Sequence, residues 1–144
     1  MKKFVFSILV FAFVSIVNAS EVFACSCVPT GDASLKTQVT EAYKKSSNVF
    51  SGEVIEITKG ADAFSAKVKF KIDKSWKQKL SGELTIITAT DSALCGYFFE
   101  VGKKYVVYAQ GENSNLRTDI CTRTALLKSS KDIAVLNKIK KPKN

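Results

Sequence analysis

Four cysteines, Cys25, Cys27, Cys95 and Cys121, carry the most definite chemistry in this 144-residue sequence. Their number is even, and in an exported chain an even set of cysteines predicts disulfides. A structural zinc site is the competing use. It fits poorly, because the chain has no histidine and its C-x-C with two distant single cysteines lacks the paired C-x-x-C knuckles of zinc sites. Four cysteines allow three pairings. Cys25 and Cys27 are too close to bridge each other comfortably, so both are expected to tie to the distant pair. Such bridges close loops of about 70 to 95 residues, each worth on the order of 4 kcal/mol in the chain-entropy model. Chain termini are ordinarily loose, whereas these bridges would staple the tripeptide Cys25-Ser26-Cys27 to the body of the fold.

Little else in the chain points to catalysis. Without histidine, a serine or cysteine nucleophile lacks its usual base, and no cysteine is spare if all four are bridged. No glycine-rich phosphate loop is present. Glu53 and Glu56 share a strand but point to opposite faces, and Asp32, Asp91 and Asp119 have no evident partner. The chain is therefore not expected to be an enzyme.

The compartment follows from the first residues. Lys2 and Lys3 form a short positive stretch, and residues 4–17 are apolar except for Ser7 and Ser15. That run is shorter than the roughly 20 apolar residues a membrane-spanning helix needs. Asn18 to Glu21 is a polar break, and Val22-Phe23-Ala24 suits signal peptidase. The pattern is that of a secretory signal peptide over residues 1–24, removed after Ala24. Val17-Asn18-Ala19 offers a second cleavage point. The domain is then residues 25–144, secreted or periplasmic, with no stable membrane insertion. Loss of Lys2, Lys3 and Glu21 lowers the net charge from +9 to +8. Such a basic surface either favours anionic partners or is simply well solvated.

The elements that must position the cysteines can be read from periodicity. Asp32 is a good helix N-cap, and Ala33 to Ser46 places Leu35, Val39, Ala42 and Tyr43 on one face. Val49 to Thr58 reads as a strand, with Gly52 at a bulge. After a turn at Lys59 to Asp62, Phe64, Ala66, Val68, Phe70 and Ile72 alternate with Ser65, Lys67, Lys69, Lys71 and Asp73, which is strand periodicity with one basic face. Trp76 closes that strand. Glu83 to Thr90 and Lys104 to Gln110 are further strands, the latter with Tyr105, Val107 and Ala109 on one side. Leu116 to Thr122 reads as a short strand ending at Cys121. Ser129 or Ser130 caps a last helix through Ile139, and a basic tail follows. The fold class expected is mainly β: a five-stranded, OB-like closed barrel with flanking helices and two disulfides, since closure removes the sheet edges.

With these residues in order, the chain resembles the N-terminal, netrin-like domain of the tissue inhibitors of metalloproteinases, in a short single-domain form. The resemblance rests on Cys25-Ser26-Cys27-Val28-Pro29 at the cleavage point and on Val49-Phe50-Ser51-Gly52. It continues through Thr88-Ala89-Thr90-Asp91-Ser92-Ala93-Leu94-Cys95-Gly96, Val101-Gly102-Lys103-Lys104-Tyr105 and Cys121, covering nearly all of the mature chain. It implies an OB-like barrel and the pairings Cys25–Cys95 and Cys27–Cys121.

The resemblance also implies a secreted protease inhibitor acting on zinc metalloendopeptidases. The α-amine and carbonyl oxygen of Cys25 would chelate the target's catalytic zinc and displace its water. Ser26 would enter the first specificity pocket, Cys27, Val28 and Pro29 would extend along the cleft, and Ser92, Ala93 and Leu94 would pack beside them. The metal belongs to the partner, so the protein needs no cofactor or metal of its own and acts as a monomer. The family's third disulfide in this domain and its C-terminal domain are absent here, and the turn at Lys59 to Asp62 is short.

Three other readings compete. A non-inhibitory netrin-like module would use the basic strand face to bind a protein or an anionic polymer at the cell surface, with salt-dependent affinity. A lipoprotein would use Cys25 for acylation, leaving three cysteines. An OB-fold nucleic-acid binder is opposed by export and disulfides, so no nucleic-acid partner is expected.

Overall fold

The structure, a computed structural model, describes residues 25–28, 31–112 and 115–139. The signal peptide expected at residues 1–24, Pro29 of the expected contact strip and the end of the basic tail lie outside these residues.

Helix α1 spans Leu35–Lys45 and buries Val39 and Tyr43. Its N-cap is Ser34 rather than Asp32: the Ser34 hydroxyl accepts from the Thr37 amide at 3.2 Å. Such a cap satisfies one of the amides that an α-helix leaves without an internal partner. At the other end, the Lys77 ammonium donates to the carbonyls of Tyr43, Lys44 and Ser46, a cation on the negative end of the helix dipole.

Five strands follow: β1 (Asn48–Lys59), β2 (Ser65–Lys77), β3 (Glu83–Ala89), β4 (Lys104–Ala109) and β5 (Ala125–Leu126). They form one antiparallel sheet in the order β3-β2-β1-β4-β5. The β1–β2 register shifts between Ser51 and Gly52. A Cβ on Gly52 would come within 2.6 Å of the Lys71 carbonyl oxygen, so glycine is what permits the close approach. A last short helix, α2 (Asp132–Leu136), packs on α1. Its N-cap position is Lys131 rather than the expected Ser129 or Ser130, and it ends at Leu136 rather than Ile139, although the Ser130 hydroxyl accepts from the Asp132 amide at 3.3 Å.

The sheet is covered on both faces, and β4 explains how. Tyr105, Val107 and Ala109 point into a cluster with Phe50, Val54, Val68, Phe70, Ile86 and Leu116. Val106 and Tyr108 point the other way, onto Val39, Tyr43, Val49, Trp76 and Leu136. Period-two alternation thus feeds two cores from one strand. In the first core the rings of Phe50, Phe70, Phe99 and Tyr105 meet edge-to-face. Each such pair contributes about 0.5–1.5 kcal/mol beyond its buried area.

The expected OB-like closed barrel does not form. The sheet is open, with β3 and β5 as its edges, and among the described residues no strand joins them. The segment expected to be the fifth strand, Leu116 to Thr122, makes only two single-residue bridges, Arg117 with Ile87 and Arg117 with Gln110. The cause is local. At Asp119 the chain turns, with the carboxylate accepting from the amides of Cys121 and Thr122 at 2.8 and 2.9 Å. Ladder pairing resumes only at Ala125 and Leu126, which pair with Val106 and Tyr105 of β4 and not with β3.

The open sheet overturns the resemblance to the tissue inhibitors of metalloproteinases, which implied a closed barrel. The netrin-like and OB-fold descriptions of the domain fall with it, as does the protease-inhibitor role insofar as it was inherited from that family. What holds is a mainly-β, five-stranded sheet with two disulfides.

Candidate functional site: the stapled N-terminal ridge

The disulfides are Cys25–Cys95 and Cys27–Cys121, with Cα–Cα distances of 5.2 and 5.1 Å. They join positions separated by 70 and 94 residues, so two points on a three-residue stretch are fixed to two remote turns. Between and beyond these anchors the chain is open to solvent. Ser26, Cys27 and Val28 are exposed, Val28 at 90% of its full area. Singly exposed apolar side chains are ordinary; what sets this one apart is the doubly anchored backbone beside it.

Each distal cysteine sits on a turn built by an aspartate. Asp91 caps a single 3-10 turn over Ser92–Leu94, accepting from the Ala93 amide at 2.6 Å, while its carbonyl accepts from the Gly96 amide at 2.9 Å. Cys95 follows in a left-handed conformation with φ of 63°. Gly96 packs directly against the Ala89 carbonyl, where any side chain would collide. Asp119 builds the turn at Cys121 as described above. The two turns touch through the Ile120 amide, which donates to the Cys95 carbonyl at 3.0 Å. Asp91 and Asp119 therefore supply the platform. In the sequence they are aspartates with no evident partner, and the signal was their position, each a few residues before a cysteine, where an Asx turn fixes the local backbone.

Among the described residues, the Cys25–Cys95 bridge links the two expected contact segments, Ser26–Val28 and Ser92–Leu94. Ser92, Ala93 and Leu94 are exposed and lie on the turn bonded through Cys95 to Cys25. Leu94 is half exposed and Ile120 nearly so, giving the ridge apolar neighbours on both anchoring turns. Phe64, at the tip of the β1–β2 hairpin, is also exposed, and its carbonyl accepts from the Thr90 amide just before this platform.

Behind the Cys121 turn lies a buried polar network. The Arg123 guanidinium binds both oxygens of Asp132, through Nε at 2.8 Å and Nη2 at 2.7 Å, and its Nη1 donates to Gln38 on α1 at 2.8 Å. The Tyr108 hydroxyl donates to the same carboxylate at 2.9 Å. Burial first, and then the adjoining carboxylate, pushes the Tyr108 phenol well above its ordinary range. The Asp132 hydrogen bond likewise raises Arg123. This network was not legible in the sequence, because Gln38, Tyr108, Arg123 and Asp132 are remote from one another. It ties α1, β4, α2 and the Cys121 turn into one unit.

The sulfurs of Cys25, Cys27 and Cys121 lie within 4.8 Å of one another. All are spent in disulfides, so in this form they offer no thiolate to a metal. A scan against protein-family models gives no match to this chain, and a search of the curated proteins gives none either. The fold and site together define a disulfide-stapled, open-sheet domain that presents its N-terminal ridge.

Proposed function

We propose that this chain is an exported, non-enzymatic binding protein that works as a monomer through its stapled N-terminus. The partner we assign is a zinc metalloendopeptidase, whose catalytic zinc is capped by the α-amine and carbonyl oxygen of Cys25. The observation that carries this reading is the double clamp on Cys25 and Cys27, which leaves Ser26 and Val28 exposed. A catalytic zinc keeps one open position for water, and a neutral amine with its own carbonyl fills that position without bringing a nucleophile. A free α-amine titrates near pH about 7.7–8.0, so losing its proton costs little at neutral pH. Because the backbone is already held, little ordering entropy is lost on docking.

The reading requires removal of residues 1–24, and it needs no cofactor of the protein's own. The zinc target is the one implied by the sequence resemblance; what supports it here is the stapled, exposed ridge alone. Titrating a panel of zinc endopeptidases with the exported protein tests it: at least one should be blocked stoichiometrically.

The second reading, binding of an anionic polymer by the basic face of β2, has less support. Lys69 is already paired with Glu56 at 2.7 Å, so part of that charge is neutralised.

A further inference from the structure

The two disulfides form one cluster of sulfurs. The Sγ atoms of Cys25, Cys27 and Cys121 lie within 4.8 Å of one another, and the Sγ of Cys95 is bonded to that of Cys25. Across the two bridges, Cys25 Sγ and Cys121 Sγ are 4.0 Å apart. Thiolates arranged tetrahedrally at about 2.3 Å from a zinc ion have their sulfurs roughly 3.8 Å from one another. The spacing between the bridges is therefore close to that of a zinc tetrathiolate, and it is the two bonded pairs that must open.

The cluster can be reached from solvent. Cys27 and Cys121 are exposed, and Cys25 and Cys95 are half-buried. Its frame also has support that involves no sulfur. The Asp119 carboxylate accepts from the Cys121 amide at 2.8 Å, and the Cys95 amide donates to the Ser92 carbonyl at 3.0 Å. The Ile120 amide joins the two turns through the Cys95 carbonyl. Opening the bridges leaves these bonds in place, so Cys95 and Cys121 keep their backbones side by side. In the sequence the C-x-C and two distant cysteines lack the spacing of a zinc knuckle, and the fold supplies the proximity that the spacing does not.

We propose that the reduced protein binds one zinc ion through Cys25, Cys27, Cys95 and Cys121. Two molecules of a dithiol reductant open the bridges. Each gives two electrons and two protons to one S–S bond and is itself oxidised to a disulfide, leaving four thiols on the protein. Zinc then takes the four sulfurs as thiolates, four protons leave to water, and the metal keeps its oxidation state. Soft thiolate donors in a tetrahedron favour zinc and exclude magnesium and calcium, which take oxygen ligands. Metal and disulfides use the same sulfurs, so they are alternatives. In the reduced state the ion holds the N-terminal tripeptide where the bridges otherwise hold it. The site concerns the cysteine sulfurs and is independent of any role of the Cys25 amine.

The test begins with the exported protein reduced anaerobically by a phosphine, which opens disulfides without supplying a competing thiol. Titration with Co2+ should saturate at one equivalent, with the intense visible bands of tetrahedral cobalt thiolate, and Zn2+ should displace the cobalt and abolish them. One equivalent of Zn2+ should protect all four cysteines from alkylation, read by mass spectrometry. The zinc-loaded reduced protein should regain the near-ultraviolet circular dichroism of the oxidised protein. Cys27→Ser should weaken zinc about a hundredfold, because it removes one of the three converging sulfurs. The alkylation pattern of the parent protein stands as a test whether or not that variant folds. Weak octahedral cobalt binding would overturn the proposal, as would protection confined to Cys25 and Cys27. Zinc binding without the near-ultraviolet signal would mark capture by an unfolded chain and overturn it too, and so would a Cys27→Ser variant that binds as the parent does.

Discussion

The Sγ atoms of Cys25 and Cys121 lie 4.0 Å apart, although the residues are 96 positions apart in sequence and belong to different disulfides. The two bridges are therefore stacked against each other at the base of the ridge. A thiolate released at Cys25 would be within a short movement of the Cys27–Cys121 bond.

This contact predicts disulfide exchange in a single variant. In Cys95→Ser, the Cys25 thiolate attacks Cys121 Sγ, a new Cys25–Cys121 bond forms, and Cys27 leaves as the thiolate. Exchange proceeds through thiolate attack of this kind. Peptide mapping of the alkylated variant by mass spectrometry should show Cys25–Cys121 alongside Cys27–Cys121. A variant carrying only Cys27–Cys121 with free Cys25 would show that the sulfurs cannot reach.

The buried pair behind the Cys121 turn should matter far more than the surface pair on α1. Asp132 is 5% exposed at its side chain and Arg123 26%, against 51% and 65% for Glu41 and Lys44. Breaking a buried pair typically costs about 3–5 kcal/mol. Because Arg123 keeps some solvent, Asp132→Ala should cost about 2–3 kcal/mol. Glu41→Ala should cost no more than about 0.5 kcal/mol. Denaturant unfolding of the two variants checks the ratio, and comparable losses would contradict the role given to the network.

How far the sequence anticipates these features depends on how local their cause is. Alternation along Tyr105, Val107 and Ala109 marked one core face of β4. That Val106 and Tyr108 bury the other face was hidden, because a doubly covered strand needs the helices to be placed first. Gly52 at a register shift was legible, since only a glycine fits so close to the Lys71 carbonyl. Barrel closure was misjudged for a local reason: Leu116 to Thr122 has the composition of a strand, but Asp119 folds the backbone into a turn and limits pairing to Arg117. Of the ridge, the residue types were legible and the two aspartates that shape its platform were not.

Alkaline pH should unfold the domain. All four tyrosines are raised above the ordinary phenol value, Tyr108 most, with desolvation by burial the leading cause in each. A group whose folded pKa is raised contributes its stability in full below the unfolded value. That stability is lost as pH rises past about 10 and toward the folded value. Tyrosinate absorbance and circular dichroism followed together above pH about 10 should change in one cooperative step. Phenols titrating well before the fold is lost would contradict the burial argument.

The central claim concerns the α-amine of Cys25, and one comparison reaches it directly. The exported protein and a form with a single alanine added before Cys25 are titrated against the same zinc endopeptidases. The added residue leaves both disulfides and the sheet intact but moves the amine off the ridge. The account predicts that the parent blocks at least one enzyme and that the extended form loses this by a hundredfold or more, about 2.7 kcal/mol. Equal blocking by both forms, or none by either across the panel, would contradict it.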